Sequence, residues 1–340
     1  MKRLLVTGGC GFLGSNFLRL WHRRYPRSAV SNVDCLTYAG GADNPGKICT
    51  SPVYVEHRID ITRQQRLRAI WPKDPVTVVH FAAETHVDRS LLDAQPFVRA
   101  NVLGTHSILE SARMFPVERV IIISTDEVYG PTPPRRKFKE SQALNPTNPY
   151  AASKASADML ALSYQRTYDI PVIILRSVNA YGPRQYPEKF IPFFITRALA
   201  GQSLPLYGDG RQQRDWLWPE DFGEAVRLLI VARRPRQRIY HIAAGNHRRN
   251  MDVARAIIRL TGCAPDLLRR VADRPGHDLR YALEDTLFRN EFGWAPKTTW
   301  REGLQKTVEW YRENTTWVKK RLRRSFFDYY RRQYRWRLHG

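Results

Sequence analysis

The chain has 340 residues and 43% hydrophobic content, enough for one large α/β unit or two closely joined domains. No window approaches the roughly 18 consecutive apolar residues of a membrane span, and the run LLV in MKRLLVTGGCGF is too short for a signal-peptide core. Cys10, Cys35, Cys49 and Cys263 lack metal or redox spacing, so neither a disulfide framework nor a zinc site is expected, and the expected location is the cytoplasm. The net charge of +23, from 55 basic and 32 acidic residues, leaves nucleic acid, anionic lipid and anionic small substrates open as partners.

In chain order, KRLLVTG predicts a strand and GFLGSNFLRLWHRR a helix. AVSNVD and VYVEHRID predict strands, TRQQRLRAI a helix and VTVVHFAAE a strand. A helix around NVLGTHSILESARM precedes the strand RVIIISTDE. The long helix YAASKASADMLALSYQRTY then leads to the strand PVIILRSVNAYG. Short apolar strands separated by helices predict a parallel sheet covered on both faces, with ligands beyond the C-terminal strand ends. The expected fold class is a doubly wound α/β sheet of Rossmann type, with a smaller, partly interleaved C-terminal domain. The expected units are a dinucleotide-binding domain over 1–182, some later segments returning to it, and a substrate region over 183–317. The segment 318–340 carries nine Lys or Arg, one acid and six aromatics, and reads as a basic, aromatic tail without core-facing periodicity.

VTGGCGFLG places Gly8, Gly11 and Gly14 after a strand and at the opening of a helix, with Phe12 and Leu13 between them. Glycines there let a pyrophosphate approach the helix N-terminus, where free N–H groups and the dipole favour an anion. Asp34, 20 residues after Gly14, would accept hydrogen bonds from a ribose and repel a 2′-phosphate, which favours NAD over NADP. Asp60 and Ile61 are placed to edge the adenine, although an Asp ending a strand is also a common helix cap. Tyr150 and Lys154, at i and i+4, share one helix face. An ammonium beside a phenol lowers its pKa and suits it to act as a base. Asp126-Glu127 is harder to explain, because two carboxyls at the end of an apolar strand are costly unless paired or protonated.

These motifs resemble the extended short-chain dehydrogenase/reductase family: GxxGxxG, the Thr of STDE and YxxxK are its signature. Within it the chain is most similar to the dTDP-glucose 4,6-dehydratases, through VTGGCGFLGSNF, VDCLTYAG, HFAAETHVDRS, STDEVYG, NPYAASKASAD, NAYGPRQYPEKFIP, LPLYGDGRQQRDW, VADRPGHDLRYA and GLQKTVEWYREN, roughly residues 3 to 317. The resemblance implies NAD as cofactor, a nucleotide-sugar substrate, a homodimer and an internal redox elimination. In that reaction Tyr150 takes the proton of the sugar 4-hydroxyl as hydride leaves C4 for NAD, and Thr125 bonds the same oxygen. Glu127 removes the C5 proton, Asp126 protonates the departing C6 hydroxyl, the hydride returns to C6 and a proton is restored at C5. The two acids then need opposite protonation states, which crowding in a closed site can supply. Adjacent strand residues point to opposite faces, so the backbone is expected to turn at Asp126.

The same resemblance places Ala82 and Ala83 under the nicotinamide ribose and Thr85 against the sugar. Asn179 lies near the phosphates, Glu188 and Lys189 near the entrance, and Arg214, Asn250, Arg274 and His277 around the nucleotide and diphosphate. Arginine suits bidentate phosphate contacts. Taken singly, each arginine equally reads as a solvated surface charge and His277 as a packing histidine; their flanking words separate them from that reading. Asn101 matches a buried polar link in a kinked helix. Two departures stand out: Cys35 replaces a Lys, and Ala180 replaces the second Asn of NNYG. The tail lies outside the resemblance and reads as a solvated or dimer-packed extension, or as an anionic-surface contact. A 4-epimerase or decarboxylase of the same fold, or a degenerate binding protein, are the competing readings; an epimerase needs neither acid.

Overall fold

The computed structural model describes residues 2–322 and 324–338. Twelve strands occur among them: β1 Leu4–Thr7, β2 Val30–Val33, β3 Tyr54–His57, β4 Val76–His80, β5 Val117–Thr125, β6 Val172–Ser177, β7 Asn179–Ala180, β8 Leu204–Tyr207, β9 Gln213–Leu217, β10 Ile239–Ile242, β11 His247–Arg249 and β12 Leu268–Val271. Seven form one sheet in the order β10-β6-β5-β4-β1-β2-β3, with every pairing parallel. Strands such as LLVT and VIILRS are buried along their whole length, which is why they lack alternation: helices cover both faces. The strand order reverses between β1 and β4, opening the crevice where ligands of such sheets bind.

The expected interleaving is present. β10 joins the main sheet beside β6, and Phe222, Val226, Tyr240, Phe288 and Trp294 pack into the first core with Phe17 and Trp21. The smaller core gathers Phe193, Phe194, Leu206, Trp216, Trp218, Ile257 and Leu304.

The tail differs from its expected form. Arg324–Leu338 is helical, and Phe326 and Tyr334 belong to the smaller core. The periodicity that escaped the sequence reading is Phe326, Tyr329, Tyr330, Gln333, Tyr334, one face of a helix at spacings of three and four. Residues 323, 339 and 340 of the expected tail lie outside the described residues. Among the described residues no helix is long and apolar enough to cross a membrane.

Candidate active site

A cleft of about 430 Å³ runs from the β1 turn across the sheet's C-terminal edge to the smaller core. At its first end Gly8 has φ +72°, and a Cβ there would sit 2.5 Å from the Ala82 nitrogen. A Cβ on Gly14 would meet the Gly8 carbonyl oxygen at 2.3 Å. The helix Phe12–Arg24 opens with Gly11 as N-cap, no side-chain cap and no acid in its first turn. A helix terminus bare of side chains suits a diphosphate, so the residues fit NAD. Asp34 accepts from the N–H groups of Cys10 (2.9 Å) and Leu36 (2.8 Å) while still lining the cleft with Asp60, Ile61, Ala82 and Ala83. Asp60 Oδ1 also accepts from the N–H and hydroxyl of Thr62, and Oδ2 meets Arg99 at 2.9 Å. Asp60 thus closes a local turn and lines the cleft, but the helix cap considered for it is absent: Gln64–Ala69 has Arg63 at its N-cap and no side-chain cap bond.

The turn expected at Asp126 is present. β5 ends at Thr125, and Asp126–Tyr129 continues as a 3-10 helix whose N-cap Thr125 accepts from the Glu127 N–H. Glu127 thereby faces the cleft, whereas the Asp126 carboxyl is buried behind Thr125. Its Oδ1 lies 3.1 Å from the Thr125 hydroxyl and its Oδ2 has no partner. Burial, then the neighbouring Glu127 charge, push the Asp126 carboxyl up to about 8. It therefore holds its proton at neutral pH. Glu127 Oε2 is approached by Asn148 Nδ2 at 3.5 Å and by the Tyr281 hydroxyl at 3.4 Å.

Tyr150 and Lys154 line the cleft together. The Lys154 ammonium donates to the Ile123 carbonyl at 2.7 Å. Burial and the Glu127 charge hold the Tyr150 phenol above its ordinary range, against a lowering by the Thr125 hydrogen bond, so the lowering expected from Lys154 is not seen in the chain by itself. Behind this pair Arg176 and Asp158 form a buried ion pair of 2.8 Å, and Ser124 donates to the same carboxylate oxygen. It ties the Tyr-Lys helix, Pro149–Tyr168, to β5 and β6.

At the other end the cleft reaches Thr85, Asn179, Glu188, Lys189, Arg214, Asn250, Arg274 and His277. Every site residue expected from the sequence faces this one cleft except Asp126. Asn179 Oδ1 is buried without a partner. The Glu188 carboxylate is held by the Tyr38 hydroxyl at 2.8 Å and by Arg89 at 2.7 Å. Lys189 donates to the Thr85 carbonyl. Arg214 donates to the carbonyls of Gln213 and Asp278. Arg274 pairs with Asp88 at 2.5 Å, with its Nε buried and unpartnered. His277 meets Asp273 at 2.6 Å, and burial pushes its imidazole down to about 4.

Asn101 sits in a π-helical turn, Val98–Leu103. It bonds both the N–H and the carbonyl of Glu84, and Ser153 Oγ at 2.8 Å. Glu84 was missed by the sequence reading, yet it lines the cleft. Burial and then Glu188 raise its carboxyl to about 7. Its only sequence signal was its place in HFAAET. Tyr207 and Tyr334 were missed as well; both line the cleft's far end.

The sheet order, the glycine turn and the Thr-Tyr-Lys set together define an extended short-chain dehydrogenase/reductase. The model of the GDP-mannose 4,6-dehydratase family matches residues 5–307, and the chain belongs to that family. It is 43% identical to a dTDP-glucose 4,6-dehydratase of Streptomyces niveus, over 93% of this chain and 94% of that one. A dTDP-glucose 4,6-dehydratase of Streptomyces venezuelae, solved with NAD and TYD bound, superposes with a TM-score of 0.90 at 42% identity, covering 94% of this chain and 99% of that one. A UDP-glucose 4-epimerase of Thermus thermophilus, solved with NAD, gives 0.84 at 30% identity over 92% of this chain and 99% of that one.

Proposed function

We propose that the protein is an NAD-dependent dTDP-glucose 4,6-dehydratase, forming dTDP-4-keto-6-deoxyglucose. The observation that carries this reading is the acid pair: a buried Asp126 that keeps its proton beside a Glu127 that faces the cleft. Bound NAD supplies the hydride acceptor for C4 of the sugar and the donor for C6. Tyr150 takes the proton of the 4-hydroxyl, with Thr125 and Lys154 placed along its side of the cleft. Glu127 removes the C5 proton, made acidic by the C4 ketone, and returns it to C5 once hydride has reached C6. Asp126 supplies the proton that leaves with the C6 hydroxyl as water, and Thr125 Oγ1, 3.1 Å away, is its contact with the cleft. Arg214, Asn250, Arg274 and His277 hold the nucleotide and diphosphate, with Asn179 near the phosphates; Thr85 faces the sugar, and Glu188 and Lys189 lie by the entrance. An epimerase leaves both acids without a task, and the cost of burying Asp126 then has no return.

The enzyme works in the cytoplasm as a homodimer. Support for the dimer comes from Val98, Leu103 and Met159, exposed apolar residues on the π-helical turn and the neighbouring Tyr-Lys helix. The outer face of the C-terminal helix, with Arg331 and Arg332 exposed, offers a contact for an anionic surface.

The test is mass spectrometry of purified protein incubated with dTDP-, UDP-, CDP- and GDP-glucose, with and without NAD. Loss of one water from dTDP-glucose with no net reduced cofactor is expected. A product of unchanged mass would move the assignment to an epimerase, and no turnover of any of the four would leave a binding protein.

A further inference from the structure

The loop that follows β2 has little local structure to hold it. Residues 35–45 form neither helix nor strand, and Leu36 sits at φ +52°, in the left-handed region. Yet Thr37, Ala39 and Gly40 line the cleft beside Asp34, at the end that fits NAD. The loop's anchor is Asn44, which is buried. Its Nδ2 donates to the Cys10 carbonyl at 2.8 Å, within the glycine turn, and its own carbonyl accepts from Arg19 Nε at 2.7 Å. Its Oδ1 takes two donors from far along the chain, Trp317 Nε1 at 3.0 Å and Arg321 Nη2 at 3.1 Å. The same Arg321 nitrogen meets Asp43 Oδ1 at 2.5 Å, and Lys320 Nζ lies 3.3 Å from Asp43 Oδ2. Arg321 is buried although it is a cation, and its guanidinium lies 4.9 Å from the Trp317 ring centre. Gly41 leaves the space it fills: a Cβ there would run into that guanidinium.

We propose that Trp317 and Arg321, on the helix Thr315–Arg321, are positioning residues for the cofactor: through Asn44 they strap the loop after β2 to the glycine turn. The loop is then in place when NAD arrives and stays in place while NAD is bound. A loop free to leave would put only a fraction of molecules in the binding-competent form, and the apparent affinity falls by that fraction. A buried guanidinium is costly unless it is paired; the partners of this one are a carboxylate and an amide of the loop, so its burial is tied to the loop's position. Such a strap suits a reaction in which the nicotinamide accepts a hydride and gives it back before the cofactor leaves. The proposal rests on the NAD reading above and adds the residues that hold its loop.

The test times the release of labelled NAD from the loaded full-length protein after excess unlabelled NAD is added. Arg321→Ala removes the bonds to Asp43 and Asn44 and is expected to quicken release about tenfold, the lower end of what a charged hydrogen bond is worth. Trp317→Phe keeps a ring, loses only the indole N–H and is expected to quicken release severalfold. Release at the wild-type rate in either variant overturns the proposal. Gly41→Ala attacks the strap from the loop side. Alone it is expected to act like Arg321→Ala, and added to Arg321→Ala to change nothing further, since the space is then empty. A double variant in which the two effects simply add also overturns the proposal, because loop and helix would then act apart. Hydrogen exchange of the loaded proteins separates positioning from general loosening. The amides of Gly41 and Asn44 are expected to exchange faster in Trp317→Phe while those of β5 stay as in wild type, and equal quickening of both counts against the strap. A wild-type chain that binds no NAD defeats the cofactor reading and this one with it, whereas wild-type release that the variants leave unchanged defeats this one alone.

Discussion

Asp126 is the residue at which the proposed chemistry and the stability of the fold can be tested together. Its carboxyl titrates at about 8 in the folded chain, against about 3.9 for an unperturbed Asp. A carboxyl with a raised folded pKa binds more protons in the native state across that window. Stability is therefore lost as pH rises from about 4 to about 8. Asp126→Asn keeps the shape and removes the titration. It is expected to abolish dehydration and to raise the thermal midpoint, with the gap over wild type widening from pH 5 to pH 8. Parallel unfolding midpoints for the two proteins across that range would sink the idea that Asp126 is buried with its proton. The pair Asp126-Glu127 was legible in the sequence as an anomaly. Which of the two is buried was not, because that depends on the backbone leaving the strand at Thr125 and turning Asp126 behind it.

At the scale of elements, the β1 turn and the Tyr-Lys helix carry the site. Gly14→Ala places a Cβ 2.3 Å from the Gly8 carbonyl oxygen, and backbone on backbone cannot relax by a side-chain rotation. Overpacking of this kind costs about 1–3 kcal/mol, so equilibrium dialysis is expected to find NAD binding weakened by about tenfold or more. An alanine variant that binds NAD like wild type would mean that the turn opens without cost. The Arg176–Asp158 pair is fully buried and stands between β5, β6 and the Tyr-Lys helix. Removing one partner strands the other's charge, so Arg176→Met is expected to lower unfolding stability by about 3–5 kcal/mol in urea titrations. A loss below about 1 kcal/mol would show that Asp158 finds another partner or a proton. The turn and the helix were legible because their residues sit at fixed short spacings. The ion pair was not, since its partners lie 18 residues apart on a helix and the following strand.

For the whole molecule, the open question is what the exposed apolar face meets. Met159 and Leu103 are both more than half exposed, and the helices that carry them adjoin. Sedimentation of wild type is expected to give a dimer, and the double variant Met159→Arg with Leu103→Arg a monomer, because two charges on a self-complementary face are repeated by symmetry. A wild-type monomer would remove the dimer reading. The charge of +23 extends far beyond the few cations around the cleft and keeps the molecule attractive to anions at a distance.

The sequence by itself determined the sheet, the glycine turn, the Tyr-Lys helix and the acid pair. Strand burial, a close backbone approach and an i, i+4 face are local rules that residue types satisfy within a few positions. The words around Arg214, Asn250, Arg274 and His277 also brought them together, and all four line the cleft. Only the tertiary structure decided that Arg274 shares Asp88 with Tyr207 and Tyr329, and that Glu84 sits raised beside Glu188. It alone decided that the helix Arg324–Leu338 packs on the smaller core. Those outcomes depend on which distant faces meet: five residues from Phe326 to Tyr334 make one face of a helix, but what that face covers is set by Phe193 and Tyr207, more than a hundred positions earlier. Burial and pairing are properties of that meeting, and no local spacing encodes them.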